Sequence, residues 1–238
     1  MPCRSAVRTH VGTVRRRNED AVLERVDIGL WAVADGAGGH ERGDYASRRI
    51  IAALREVQTA SPGASLVNEV KRRLAVVNLE LRERAAEIGQ NALIASTVAV
   101  LIIYDNQSRC LWAGDSRFYR LRGGRLRQLS RDQSYVQDLV DRGEVAPEAA
   151  AAHPLANIVT NLIGSSDRLT LEERHDQLEP GDILLLCSDG LSGAVRDSEI
   201  AELLGGSSVQ AAADRLIERA LAHGARDNVS AVVVDYAA

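Results

Sequence analysis

Apolar residues recur along this chain in two spacings: short runs that read as strands, and three- and four-residue steps that read as helices. Residues 30–34 (LWAVA) form a buried strand by this criterion, and Asp35-Gly36 is expected to turn the chain out of it. From Gly43 the period is helical, with Tyr45, Ala46, Ile50, Ala53, Leu54 and Val57 on one face until Ser61-Pro62 breaks it. A second helix carries Leu66, Val70, Leu74, Val77, Leu81, Ala85 and Ile88 on one stripe, with Lys71, Arg72, Arg73, Arg82 and Arg84 elsewhere and Gly89 as its terminator. Two such helices in succession are expected to cover a sheet.

Strand character follows at residues 97–104, 109–114, 117–121 and 126–129, separated by Asp-Asn, Asp-Ser and Gly-Gly. Connections this short imply antiparallel neighbours. Residues 133–165 are irregular apart from a helical stretch at 135–142 and an alanine-rich run before His153-Pro154, so a flap is expected there. The remainder reads as a strand at 169–174, a strand at 183–187 ending in Ser188-Asp189-Gly190, helices at 197–204 and 209–223, and a last strand at 229–235. Runs of strands broken by paired helices indicate an α+β fold, an antiparallel sandwich with helices outside it.

With 45% hydrophobic and 26% charged residues and no linker-like stretch, the 238 residues are expected to form one domain spanning 1–238. Aromatics supply only 3%, which leaves few platforms for stacking bases or sugars. A net charge of -4 gives no electrostatic reason to expect a nucleic-acid or membrane partner. Lys71 is the only lysine, which excludes a GK[ST] phosphate loop. Cys3, Cys110 and Cys187 form no CxxC pair, and the start, MPCRSAVRTH, has no apolar signal core, so a reducing cytoplasm is expected. Cys110, Cys187, Trp31 and Trp112 sit in apolar runs and read as core.

The chemistry is suggested by where the acids fall. Asp35, Asp115 and Asp189 each end an apolar strand and Asp227 precedes the last one, in the contexts VADG, WAGDS, LCSDG and ARDN. One such residue is an ordinary turn former, but four at strand ends of one sandwich can gather, and gathered carboxylates repel unless a cation neutralises them. The five histidines, His10, His40, His153, His175 and His223, show no paired ligand spacing, so the oxygen-rich set favours magnesium or manganese over zinc. Upstream, Arg15-Arg16-Arg17-Asn18-Glu19-Asp20 reads either as a solvated loop or as a functional segment. In the second reading Glu19 or Asp20 supports the ions while one arginine grips a phosphate.

Together these stretches resemble the metal-dependent PPM/PP2C family of protein serine/threonine phosphatases. The matching segments run in family order: VRRRNED at 14–20, ADGAGGH at 34–40, AST at 95–97, AGDSRFYR at 113–120, GDILLLCSDGL at 181–191 and ARDNVS at 225–230. The resemblance implies an αββα sandwich, two antiparallel sheets face to face with helices outside. It implies two Mn2+ or Mg2+ ions bridged by Asp35, one bound also by the Gly36 carbonyl, the second by Asp189 and Asp227. Glu19 and Asp20 complete the surround, with Asp20 orienting coordinated water. Asp115, together with Asp189, matches the acid of a weaker third site, Arg15 matches the group that binds substrate phosphate, and Asn228 supports the site by hydrogen bonds. A hydroxide held between the ions would attack phosphorus in line, with no covalent enzyme intermediate.

The chain departs from the family pattern at Ala37, where some members carry a candidate acid histidine, leaving water or His40 for that role. It departs again at Gln133, Ala156 and Asn161, which stand in place of a histidine and two arginines and bear on flap contacts and substrate choice. The implied function is dephosphorylation of phosphoserine and phosphothreonine in proteins by a cytoplasmic monomer opposing a bacterial Hanks-type kinase. The stretches CLWAGDSRFYRLR and HPLANIVTNLIG are similar to stand-alone phosphatases associated with type VI secretion. A pseudophosphatase that binds phosphoproteins without turnover and a hydrolase of small phosphate esters are the alternatives. Arginines 117, 120, 122, 125, 127 and 131 are expected either as solvent-facing hairpin positions or as a basic docking face.

Overall fold

The computed structural model describes residues 3–37, 42–58, 63–89, 91–150 and 152–237. In chain order, β1 (Cys3–His10) and β2 (Asp20–Arg25) lead through a 3-10 turn at Val26–Ile28 into β3 (Leu30–Ala37). Helices α1 (Arg42–Arg55) and α2 (Ala64–Ile88) follow. Then come β4 (Ala95–Ser96), β5 (Val98–Tyr104), β6 (Gln107–Ala113), β7 (Arg117–Arg122) and β8 (Arg125–Gln128). Short helices α3 (Tyr135–Asp141) and α4 (Pro147–Ala150) precede β9 (Glu172–Gln177) and β10 (Asp182–Cys187). The chain closes with α5 (Asp189–Ser192), α6 (Asp197–Leu204), α7 (Val209–Ala222) and β11 (Val229–Tyr236).

Two antiparallel sheets result, one in the order β1-β11-β10-β7-β8 and the other β2-β3-β5-β6-β9, with β4 pairing β3. Period-2 alternation gives each sheet two buried faces. Leu30, Ala32, Val100 and Ile102 pack under α1 and α2 against Ile50, Leu54 and Leu74. Leu185 and Val233 pack under α6 and α7 against Leu204 and Leu216. Between the sheets lie Trp31, Val33, Leu101, Trp112, Phe118, Leu186 and Val232, with Trp112 and Phe118 meeting edge to face at 6.2 Å. The αββα expectation is met. Cys110 and Cys187 are core residues whose thiol pKa burial pushes up to about 12. Among the described residues no helix is long and apolar enough to cross a membrane.

Asp105-Asn106 and Gly123-Gly124 all have positive φ, the condition of a two-residue hairpin turn, and they join β5 to β6 and β7 to β8 as expected. The Asp-Ser link behaves differently. β6 and β7 lie in different sheets, so the bend at Gly114-Asp115 carries the chain from one sheet to the other instead of closing a hairpin. Gly114 makes this possible with φ 106 and no side chain, since a Cβ there would stand 2.7 Å from Thr97.

Two further expectations shift, and one strand was not foreseen. β3 does not stop at Asp35-Gly36, because Asp35 pairs with Asp20 on one side and Gly36 and Ala37 pair with β4 on the other. The strand expected at 169–174 forms instead at Glu172–Gln177, where EERHDQ makes a charged edge and its ion pairs to Lys71, Arg109 and Arg120 replace apolar burial. β1 carries no strong apolar alternation and forms by pairing with β11 from the far end of the chain. Of the hairpin arginines, Arg125 and Arg127 face solvent as one reading expected, while the other four are ion-paired and form no free basic face. Arg117 pairs with Asp132, Arg120 with Asp176, Arg122 with Asp182 and Glu179, and Arg131 with Asp138 and Asp141.

Candidate metal centre

Followed toward one end of the sandwich, the inter-sheet face of each strand changes from apolar to polar. Val22 gives way to Asp20, Trp31 and Val33 to Asp35, Leu101 and Ala99 to Thr97, and Phe118 to Ser116. In the same way Leu184 and Leu186 give way to Ser188, and Val234 and Val232 to Ser230. Because side chains two residues apart share a face, this places a polar layer directly on top of the inter-sheet core. Asp115 sits on the sheet-switching bend, Asp189 opens α5 and Asp227 precedes β11, so all three expected acids reach the same end.

Asp20 and Asp35 are cross-strand partners. Asp20 is buried, and its Oδ2 accepts from Ser188 Oγ at 2.8 Å and Ser230 Oγ at 2.6 Å. Asp35, Asp115, Asp189, Asp227 and Glu19 are half-buried around it. The Asp35 backbone is locked by Thr97, whose Oγ1 accepts from the Asp35 N–H at 3.1 Å and whose N–H donates to the Asp35 carbonyl at 2.8 Å. Arg15 reaches in from the loop before β2 and donates to Asp227 Oδ2 at 2.7 Å. Asn228 makes the hydrogen bonds expected of it: its Oδ1 accepts from the Glu19 N–H at 2.7 Å, and its Nδ2 donates to the carbonyls of Val11 and Arg17, each at 2.9 Å.

Glycines let these segments meet. A Cβ on Gly36 would lie 2.2 Å from the Gly43 carbonyl oxygen, and a Cβ on Gly43 would lie 2.7 Å from a Glu19 carboxylate oxygen. The first turn of α1 therefore presses against the end of β3 and against Glu19. A Cβ on Gly190 would stand 1.9 Å from the Asn228 carbonyl oxygen, which fixes α5, and with it Asp189, against the start of β11.

The electrostatics follow from crowding acids in a dry place. Burial is the leading cause that pushes Asp20 and Asp115 up to about 7, and nearby acids add to it: Asp189 and Asp227 for Asp20, Asp189 and Asp132 for Asp115. Asp35 is held well above the carboxylate range by burial and then by Asp20, Asp189, Asp115 and Asp227. Asp189 is raised by burial and by Asp227, and Glu19 by burial, with Arg15 opposing. Arg15 is raised in turn, first by its hydrogen bond to Asp227.

This donor set fits a pair of hard divalent ions. It is all oxygen, its charges demand neutralisation, and Asp20 Oδ1 and Asp189 Oδ1 are buried with no hydrogen-bond partner. Among the described residues no three His, Cys, Asp or Glu side chains close around a single point. The acids gather at one end of the sandwich, close enough that Asp20, Asp35, Asp115 and Asp189 are each raised by neighbouring carboxylates. His40, the candidate proton donor, lies outside the described residues. The serines beneath Asp20 and the Thr97 lock were not anticipated as functional, although their two-residue spacing from core positions is a signal that could have found them.

A family profile described as protein phosphatase 2C matches residues 11–232. The serine/threonine protein phosphatase PstP of Mycobacterium tuberculosis is 38% identical over 233 residues, which cover 98% of this chain and 45% of that protein. The chain thus spans less than half the length of this curated relative. A solved structure described as PppA, a key regulatory component of T6SS in Pseudomonas aeruginosa, superposes with a TM-score of 0.91 at 43% identity, covering 99% of this chain and 98% of that one. The catalytic domain of PstP, solved in complex with two manganese ions, superposes with a TM-score of 0.89 at 34% identity over 99% of both chains. A profile match along nearly the whole sequence and identity above a third to a full-length fold of the same kind lead to one conclusion: this chain belongs to the protein phosphatase 2C family.

Proposed function

We propose that this chain is a metal-dependent phosphatase that removes phosphate from phosphoserine and phosphothreonine in proteins. The observation that carries the reading is the convergence of Asp20, Asp35, Asp115, Asp189 and Asp227 at one end of the sandwich, with Arg15 reaching over them. Glu19, Asp20, Asp35, the Gly36 carbonyl, Asp189 and Asp227 are assigned to two Mn2+ or Mg2+ ions, and Asp115 with Asp189 to a third. When bound, the ions supply a Lewis acid and an activated water.

The protein's own groups do the rest. Thr97 locks the Asp35 backbone, which limits how far its carboxylate can move. Asp20, pinned through Oδ2 by two serines, presents Oδ1 as a fixed acceptor that orients water. Arg15 offers a planar fork matched to two phosphoryl oxygens, and its bond to Asp227 holds that fork at the mouth of the site. Ala37 carries no titratable proton, so protonation of the departing alkoxide is assigned to solvent. Segment 133–165 is assigned as a flap beside the Asp115 bend.

Phosphoprotein substrates follow from the family, and targets of a Hanks-type kinase are the proposed set. The likeness to PppA along nearly the whole chain supports a place in type VI secretion control. A cytoplasmic monomer is the proposed form, with Cys3, Cys110 and Cys187 reduced and buried. The test is phosphate release from a phosphothreonine peptide with Mn2+ and with chelator. Release that chelator abolishes is expected, whereas phosphopeptide binding without release would make the chain a binding module.

A further inference from the structure

Gln133 is engaged at every polar position of its backbone and through its side-chain oxygen. Its N–H donates to the Gly114 carbonyl at 3.0 Å, and its carbonyl accepts from the Thr160 N–H at 2.8 Å. Its Oε1 accepts twice, from the Gly114 N–H at 2.7 Å and from Asn161 Nδ2 at 2.9 Å. Asn161 Nδ2 also donates to the Thr170 carbonyl at 2.8 Å. One residue therefore ties together the sheet-switching bend, the entry and exit of the flap and, through Asn161, the approach to β9.

The bend has no substitute for this contact. Gly114 is buried, its φ of 106 and the closeness of Thr97 fix its N–H direction, and a buried N–H without an acceptor costs about 1–3 kcal/mol. Beyond Gln133 the flap's neck is held by a short rung in which the Tyr135 N–H donates to the Ile158 carbonyl at 2.8 Å, beside the Ser134–Val159 bridge. Gln133 and Asn161 bond directly to each other, so the clasp is a two-residue unit.

We propose that Gln133, with Asn161, is a positioning residue that clasps the flap's neck to the bend carrying Asp115, so that the order of the flap and the seating of a phosphopeptide depend on one side-chain oxygen. The kinetic half of this rests on the phosphatase reading, and the structural half does not. A peptide large enough to touch the flap feels the clasp, while a small ester that meets only Arg15 and the two-ion site of Asp35, Asp189 and Asp227, none of which sits on the bend, does not.

The experiment compares hydrogen exchange and kinetics in Mn2+ buffer for wild type, Gln133→Leu, which keeps volume without an acceptor, and Gln133→Glu, which keeps the accepting oxygen. Gln133→Leu is expected to speed exchange about tenfold at residues 112–116, 133–136 and 158–161. It is expected to raise KM for a phosphothreonine peptide about three- to tenfold while leaving p-nitrophenyl phosphate turnover within about twofold. Gln133→Glu restores both, and Asn161→Leu adds little to Gln133→Leu, because the two act through one clasp. Unchanged exchange in Gln133→Leu, equal losses on both substrates, or a Gln133→Glu as impaired as Gln133→Leu would overturn the proposal. Should Gln133→Leu not fold, Asn161→Leu, which removes only the Asn161 half of the clasp, is expected to speed exchange at residues 133–136 and 158–161 and to raise the peptide KM, and unchanged exchange there would overturn the proposal. A wild type inactive on every phosphate ester would sink the phosphatase reading and leave the exchange result standing.

Discussion

Asp20 and Asp35 stand directly opposite one another across β2 and β3, on the face turned toward the other sheet. Like charges in that relationship destabilise a sheet, so the fold spends stability to keep two acids adjacent. Both are held above the usual carboxylate range, Asp20 at about 7 chiefly by burial and Asp35 by burial and then by Asp20. The folded protein thus binds these protons more tightly than the unfolded chain does. The stabilisation is full below the unfolded value of 3.8 and is lost as pH rises through about 7. In chelator, the melting temperature is expected to fall between about pH 5 and about pH 8, and Mn2+ at the upper pH restores it. Scanning fluorimetry checks this, and a chelated protein that melts higher at the upper pH would contradict it.

Arg15 is expected to hold substrate phosphate. Arg15→Ala should lower kcat/KM for a phosphopeptide by about 10- to 100-fold, the worth of a hydrogen bond between charged groups. Arg15→Lys should recover only part, since an ammonium lacks the planar fork. Steady-state kinetics decide, and an Arg15→Ala enzyme with unchanged kcat/KM would remove the arginine from the site. Because its partner Asp227 is itself assigned to the ions, Mn2+ affinity measured in the same variant separates loss of phosphate binding from a disturbed Asp227.

Ser188 and Ser230 lower the Asp20 pKa by donating to Oδ2. Removing either hydroxyl leaves burial and the neighbouring acids less opposed, so Ser230→Ala should shift the pH midpoint of Mn2+ binding upward. Calorimetric titrations at a series of pH values test it. A midpoint that stays put or moves down would show that the hydroxyls do not tune Asp20.

Gly190→Ala should destabilise the protein, because the new Cβ would stand 1.9 Å from the Asn228 carbonyl oxygen and either α5 or β11 must move. A loss of about 1–3 kcal/mol or more is expected in urea denaturation, as for other overpacked positions. Gly206→Ala, at a site with open space but φ 70, is the control for backbone strain alone and should cost less.

The parts of this fold legible in the sequence are those where local pattern and tertiary role agree. α2 announces itself by its stripe and Gly89, β5 by an unbroken apolar run, and the Asp105-Asn106 turn by its residue types. β1 was not legible, because its buried positions are Cys3 and Ala6 and its reason to be a strand is β11. The Gly114-Asp115 bend was misread as a hairpin, since turn chemistry reports that a chain reverses and not which sheet it enters. At the site, the acids stood out by falling at strand ends. Ser188 and Ser230 did not, because a serine's value there depends on an aspartate some 168 and 210 residues away in sequence.

The central claim is that acids distant in sequence form a binding place for paired divalent ions. Its most direct test is calorimetric titration of Mn2+ into metal-stripped protein whose fold has been verified, beside Asp35→Asn. Binding with a stoichiometry of at least two ions is expected for the wild type, and its loss in Asp35→Asn. A correctly folded wild type that takes up no Mn2+, or an Asp35→Asn that binds as the wild type does, would contradict it.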